Sequence, residues 1–497
     1  MTRHFDRRLF LAGLTASVAV PAIVAAQPPA TSKRPEARPG STKPLSVTAE
    51  EMIAEAGLSG EAAFHVADLS QTQLLEARNP TLPLPPASVA KALTALYALD
   101  VLGAEHRFAT QVTATGPIED GVLKGDLILQ GGGDPTLQTN DLAELAAAVK
   151  ATGLRAVEGH FYVWGGALPY AQVIDVLQPP HVGYNPSVSG LALNFNRVHF
   201  EWRRDGGRWG VTMDARSDKY RPEVAMARMR IVDRSGPVYT YADEGGRDDW
   251  TVAQGALGNG GSRWLPVRKP ELYAGEVFQT LMRSYGIVLE TPRVTQVLPQ
   301  GRVVAERESE PMRYILRDML LYSTNITAEM VGLAATAGLS GRAATLEASA
   351  RRMSDWARER LGLTDTDFVD HSGLGDRSRT TVEDLVRALS TPLARAELRP
   401  LLKTIDMRNR DYKVMPDHPL DVVAKTGTLN FVSTLAGYAE MPDGRDMAFA
   451  ILTADIPRRD ALSEAERERP AGGRAWARRS RLLQQALLQR WGVIHAG

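Results

Sequence analysis

The chain has 497 residues, with 58 Lys+Arg set against 58 Asp+Glu, 44% hydrophobic and 23% charged residues, and no cysteine. With that even balance, no net charge argues for nucleic acid or an anionic surface as a partner. The lack of cysteine excludes disulfides, thiol nucleophiles and Cys-ligated metals, and the length suits two or three domains.

Arg3, Arg7 and Arg8 precede an uncharged run over 9–26 that closes on Val24-Ala25-Ala26. Basic start, mildly apolar middle and small-residue end predict an export signal over 1–26. Arg7-Arg8-Leu9-Phe10-Leu11 resembles a twin-arginine signal, with Asp6 and Ala12 departing from the usual flanks. The run is at the short end of a spanning length and only weakly apolar, which favours a signal over an anchor. Residues 27–45, rich in Pro, Ser, Thr and Lys/Arg, predict a flexible leader. A helix is expected over 48–56, then paired strands over 62–68 and 73–77. His65 reads there as an ordinary strand residue.

Pro85-Pro86 then introduces an apolar repeat, Val89, Leu93, Leu96 and Leu99, at helical spacing. Ser88 falls on the first turn of this mostly buried helix, and Lys91, three residues on, shares its face. Burial disfavours a charged lysine and leaves an amine able to take the serine proton. Alone, the pair equally fits an N-cap serine with a solvated lysine.

Over 108–300 short strands dominate: 111–114, 125–130, 160–163, 197–202, 209–213, 226–232 and 250–254, with helices over 142–152 and 271–284. Gly131-Gly132-Gly133-Asp134-Pro135 follows a strand, but no Gly-Lys-Ser/Thr comes after it, so it reads as a turn and not a phosphate cradle. Helices return over 314–321, 327–336, 343–361, 381–389 and 395–402, followed by strands over 422–426, 433–440 and 447–453 and a closing helix over 475–491. The charged stretch 458–474 reads as a solvated loop. The predicted organisation is a catalytic domain from 46–107 and 301–497, bracketing an inserted β-rich region over 108–300.

Two further clusters are weak alone. Ser323-Thr324-Asn325 lies at a helix junction, where it fits capping with Glu329 close behind. Lys425-Thr426-Gly427-Thr428 lies on a strand, where the lysine fits an edge that resists aggregation. Together, Ser-x-x-Lys, Ser-x-Asn and Lys-Thr-Gly in this order are the motif set of the serine penicillin-recognising enzymes. Within them the sequence resembles the class C, low-molecular-mass penicillin-binding proteins, the D-alanyl-D-alanine carboxypeptidase/endopeptidase group. The gap of about 235 residues between Ser88 and Ser323 holds a separate folding unit, as that group does. Residues 125–137 and Asp370-His371-Ser372-Gly373-Leu374 match its stretches, and the resemblance covers about 46–495. Thr324 departs from the Asp often found between the Ser and the Asn, and 458–474 matches nothing in the group.

The resemblance implies an α+β fold: a β-lactamase/transpeptidase-like domain, with an antiparallel sheet flanked by helices, carrying a large strand-rich insertion. It implies Ser88 as nucleophile, Lys91 as base, Ser323 as proton relay and Asn325 holding Lys91 and the substrate amide. Lys425, Thr426 and Thr428 would receive a terminal carboxylate. Gly427 lets the backbone approach, and the N–H groups of Ser88 and Thr428 would form an oxyanion hole. The implied substrates are peptidoglycan stem peptides, with β-lactams as inhibitors, no nucleic acid and no metal or organic cofactor. The implied place is the periplasm, with peripheral association with the membrane or wall. A secreted β-lactamase and a non-catalytic wall-binding scaffold are the alternatives. Asp370-His371-Ser372 tempts a Ser-His-Asp reading, but adjacent turn residues seldom converge on one proton, so His371 reads as structural.

Overall fold

The computed structural model describes residues 47–495 apart from Thr72. The export-signal and leader expectations lie outside those residues. Among them no helix is long and apolar enough to cross a membrane.

A six-stranded antiparallel sheet runs in the order Lys403–Thr404, Asp421–Leu429, Val432–Glu440, Asp446–Ala454, Glu61–Asp68, Gln73–Arg78. Strand alternation sends neighbouring residues to opposite faces. Phe64, Val66, Leu435, Phe449 and Ile451 pack with Leu483, Leu487 and Trp491 of helix Gly473–Ile494. Ala63, Ala436, Ala448, Ala450 and Leu452 pack on the other side with Leu93 and Leu96 of helix Ala90–Val101. That helix is buried from Ala90 to Leu99, with helices Met312–Tyr322, Asn325–Ser340 and Leu346–Leu361 around it. Small residues on the inner face let it sit close to the sheet, which brings its first turn against the strand of Lys425.

The inserted region has its own core. A five-stranded sheet, ordered Arg293–Val294, Phe161–Trp164, Leu127–Gly131, Ala109–Ala114, Arg302–Glu308, packs with helices Thr139–Ala151 and Pro270–Ser284. Two three-stranded sheets follow: Arg208–Asp214, Arg197–Asp205, Gly260–Pro266, and Ala227–Val232, Asp248–Ala253, Tyr239–Asp243.

Three expectations need correction. Strand Arg302–Glu308 pairs with Ala109–Ala114, so this sheet passes the boundary drawn at 300. The helix over 395–402 is instead a π turn, Ala394–Leu398, running into a 3₁₀ turn, Arg399–Leu401, because Pro400 supplies no N–H. The stretch 458–474 is not a free loop. Its first three residues end helix Ile456–Asp460, and Arg467 donates to the Leu177 carbonyl at 3.1 Å while Glu468 pairs with His181 at 3.2 Å. It thereby joins the sheet domain to the inserted region.

Candidate active site

Pro85 and Pro86 lead into a 3₁₀ turn, Ala87–Val89, continuous with helix Ala90–Val101. Ala87 is held at φ +46°, a conformation that disfavours a side chain and persists only where packing over-determines it. The packing is visible: Ala87 is fully buried, and Thr434 donates to the Pro86 carbonyl at 2.8 Å. This fixes Ser88 at the mouth of a cleft of about 1450 Å³, half-buried, with its neighbours enclosed.

Lys91 is fully buried. Its Nζ lies 2.7 Å from Asn325 Oδ1, 2.7 Å from the Ser372 carbonyl and 3.0 Å from Ser88 Oγ. Burial pulls its pKa down from 10.5 to about 8, against the opposing pull of Asp370 and Glu329. A neutral amine has two N–H groups and one lone pair. The two shorter contacts engage the N–H groups, which leaves the lone pair for the Ser88 hydroxyl.

Ser323 ends helix Met312–Tyr322 in a left-handed conformation, φ +58°. That turn carries its hydroxyl to 3.0 Å from Lys425 Nζ. Lys425 is buried, and burial first, then the charge of Lys91, holds its pKa well below the usual lysine range. Asn325 opens helix Asn325–Ser340 and bridges regions: its Oδ1 accepts from Lys91, while its Nδ2 donates to the Tyr184 carbonyl of the inserted region at 2.9 Å. Along strand Asp421–Leu429, Lys425 and Gly427 face inward while Thr426 and Thr428 are exposed. A Cβ on Gly427 would overlap Thr434 Oγ1 and stand 2.9 Å from the Ser88 nitrogen, so the strand passes directly over the nucleophile's N–H.

All three motifs therefore meet around Ser88. Sequence reasoning missed what holds them. The buried carboxylate of Glu329 accepts the backbone N–H groups of His371 at 3.0 Å and Ser372 at 2.9 Å. Asp370 accepts those of Gly373 at 2.6 Å and Gly375 at 2.5 Å. Burial raises both carboxyls. Glu329, one helical turn from Asn325, was visible only as a helix-start residue. The Ser372 carbonyl had no signal at all. Arg481 of the closing helix reaches Thr428 Oγ1 at 3.5 Å and lines the same cleft. His371 is buried with Nε2 on Ser349 Oγ at 2.8 Å and Nδ1 on Met353 Sδ at 3.4 Å, and burial drives its pKa down to about 3. It stays neutral and engaged away from Ser88. The triple glycine serves close backbone packing, with Gly133 N–H on the Gly190 carbonyl at 2.8 Å.

Residues 45–477 match the D-Ala-D-Ala carboxypeptidase 3 (S13) family. The chain is 28% identical over 443 residues to a D-alanyl-D-alanine carboxypeptidase of Actinomadura sp. (strain R39), covering 81% of this chain and 79% of that one. Its fold is similar to the crystal structure of penicillin binding protein 4 (dacB) from Haemophilus influenzae, with a TM-score of 0.71 and 18% identity over 89% of this chain and 98% of that one. It is also similar to that protein complexed with a β-lactam, with a TM-score of 0.68 at 18% identity over the same 89% and 98%.

Proposed function

The chain belongs to the D-Ala-D-Ala carboxypeptidase 3 (S13) family and is a serine-type D-Ala-D-Ala carboxypeptidase, and from that premise we propose that its chemistry runs through an acyl-enzyme on Ser88. The observation that carries the reading is the buried Lys91 amine, with both N–H groups engaged and its free position 3.0 Å from Ser88 Oγ.

Ser88 Oγ attacks the carbonyl of the penultimate D-Ala while its proton passes to Lys91. The developing oxyanion lies between the N–H groups of Ser88 and Thr428, each worth about 3 kcal/mol in such sites. The close passage of Gly427 over Ser88 supports this placement. Lys425 and the exposed Thr426 and Thr428 receive the free carboxylate; a lysine supplies charge there without bidentate geometry. The C–N bond breaks as Ser323, polarised by Lys425, relays to the departing amine the proton that Lys91 took from Ser88, which leaves Lys91 neutral again. Water then cleaves the ester and returns the proton to Ser88. The same site acts as an endopeptidase where the departing amine belongs to a cross-linked strand. A β-lactam, which the similar Haemophilus protein binds in its complex, would acylate Ser88 in place of the peptide and leave the site slowly. The work takes place outside the cytoplasm, on the wall.

Purified protein incubated with fluorescent penicillin and with a D-Ala-D-Ala pentapeptide tests the reading. The expected result is one labelled site, release of D-Ala, and loss of both in Ser88→Ala. A dark wild-type protein would make it a scaffold. Rapid, sustained nitrocefin turnover would make it a β-lactamase.

A further inference from the structure

A second recess of about 580 Å³ opens beside the catalytic cleft. The two share Gly183, Tyr184, Ser323 and Asn325 as lining residues, which places the recess directly beside the site of Ser88. Arg197, at the start of strand Arg197–Asp205, lines this recess.

Arg197 is a half-buried cation that lacks a counter-charge. Among the described residues its side chain forms no ion pair and donates no hydrogen bond, and its Nε is buried without a partner. Its contacts are the faces of Phe195 at 5.2 Å and Trp264 at 5.5 Å, which hold the guanidinium plane without satisfying its donors. A buried arginine with a purely structural role looks different in the same fold. Arg268 donates to the carbonyls of Gln172, Asn185 and Pro180, each at 2.8 Å. Leaving a partly buried guanidinium unpaired is costly, and an arriving carboxylate would remove that cost.

The recess lies on the Ser323 side of the nucleophile, which under the reading above is the side of the departing amine. In a D-Ala-D-Ala peptide that amine is a single alanine, and it ends at Lys425, Thr426 and Thr428. In a cross-linked substrate the amine carries a second strand with its own carboxylates. We propose, resting on that reading, that the recess binds the amine-bearing strand of a cross-linked peptide, with Arg197 holding one of its carboxylates and Tyr322, 74% exposed at the rim, covering it.

The test uses the wild-type chain, Arg197→Gln, Arg197→Lys and Tyr322→Ala. Each is given a D-Ala-D-Ala pentapeptide, a cross-linked peptide dimer with free carboxylates, and the same dimer amidated at every carboxylate of the amine-bearing strand except the one beside the scissile bond. The wild type should cut the free-carboxylate dimer with a kcat/KM about tenfold or more above the amidated one, the weight of a charged hydrogen bond. Arg197→Gln should lower the dimer-to-pentapeptide rate ratio by a similar factor, through KM. Arg197→Lys should recover part of it, and Tyr322→Ala should lower it in the same direction. Equal cleavage of both dimers by the wild type would overturn the proposal, and needs no variant to fold. So would an unchanged ratio in Arg197→Gln. A wild type that labels with penicillin and cuts the pentapeptide but no dimer would overturn this proposal alone; one that does neither would overturn the acyl-enzyme reading with it.

Discussion

Glu329 and Lys91 are joined through a single residue. The Glu329 carboxylate accepts the Ser372 N–H at 2.9 Å, and the Ser372 carbonyl accepts from Lys91 Nζ at 2.7 Å. Asp370 grips the same turn from its far side through Gly373 and Gly375. The base is thus positioned by a backbone carbonyl, and the carbonyl by two buried carboxyls. Such a chain transmits a displacement because its buried members are held by these bonds rather than by water.

Replacing Glu329 should therefore disturb chemistry and stability together. Glu329→Ala leaves two buried N–H groups without acceptors, at about 1–3 kcal/mol each. Glu329→Gln keeps one carbonyl but turns an NH₂ toward an N–H. We expect Glu329→Gln to fold with a lowered Tm and to acylate with penicillin about tenfold or more slowly, with the limb of the pH profile moved to lower pH because Lys91 loses the upward pull of Glu329. A well-folded Glu329→Gln that acylates at the wild-type rate would remove the positioning role.

The pH dependence follows from Lys91. With its pKa lowered to about 8, about a tenth of the amine is neutral at pH 7. The acylation rate should rise with pH and level off above about 8, measured by stopped-flow with fluorescent penicillin. A rate constant level from about pH 6 to 9 would contradict Lys91 as base. Stability carries the same sign. The unfolded chain holds the Lys91 proton up to its ordinary value of 10.5, the folded chain only to about 8, so the unfolded state binds more protons in that window and stability rises across it. Lys425, also lowered by burial, adds in the same direction.

The sequence was legible where chemistry is carried by side chains at short range or in a known order. Ser88 and Lys91 lie one helical turn apart, and their 3.0 Å contact follows from the helix itself. Lys91 and the Ser372 carbonyl are 281 residues apart, and a carbonyl belongs to every residue, so no pattern marks it. The same limit explains the fold. Phe161–Trp164 and Val432–Glu440 show in apolar content, whereas Arg302–Glu308 reads Arg-Val-Val-Ala-Glu-Arg-Glu and is a strand only because Ala109–Ala114 offers it an edge. Gly260–Pro266 starts with two glycines and a serine and was missed likewise.

His371 offers a check on the rejected triad. A Cβ on Gly332 would overlap its imidazole and stand 2.6 Å from Cδ2. Gly332→Ala must displace a ring packed against Ser349 and Met353, at about 1–3 kcal/mol for overpacking. We expect a Tm several degrees lower. We expect no new limb in the acylation pH profile near the ordinary histidine range, since His371 titrates near 3. A profile limb between about pH 6 and 7 that vanishes in His371→Gln would restore a catalytic histidine.

Gly427 separates the nucleophile's two surroundings, its base below and its oxyanion donors beside it. The residue has an ordinary strand conformation, so only space decides what may replace it. A Cβ would overlap Thr434 Oγ1, which donates to the Pro86 carbonyl and so braces the strained Ala87, and would crowd the Ser88 nitrogen at 2.9 Å. The strand can relieve this only by lifting off the first turn of the helix. That movement widens the gap between the Ser88 and Thr428 N–H groups while leaving Lys91, held by Asn325 and Ser372, where it stands. The predicted defect in Gly427→Ala is therefore in transition-state stabilisation. Acylation should slow by about 10²–10³, the usual loss for one oxyanion donor, with the apparent pKa of the rate unchanged. If acylation instead fell little, or its pH limb moved, the strand would not be supplying the oxyanion contact.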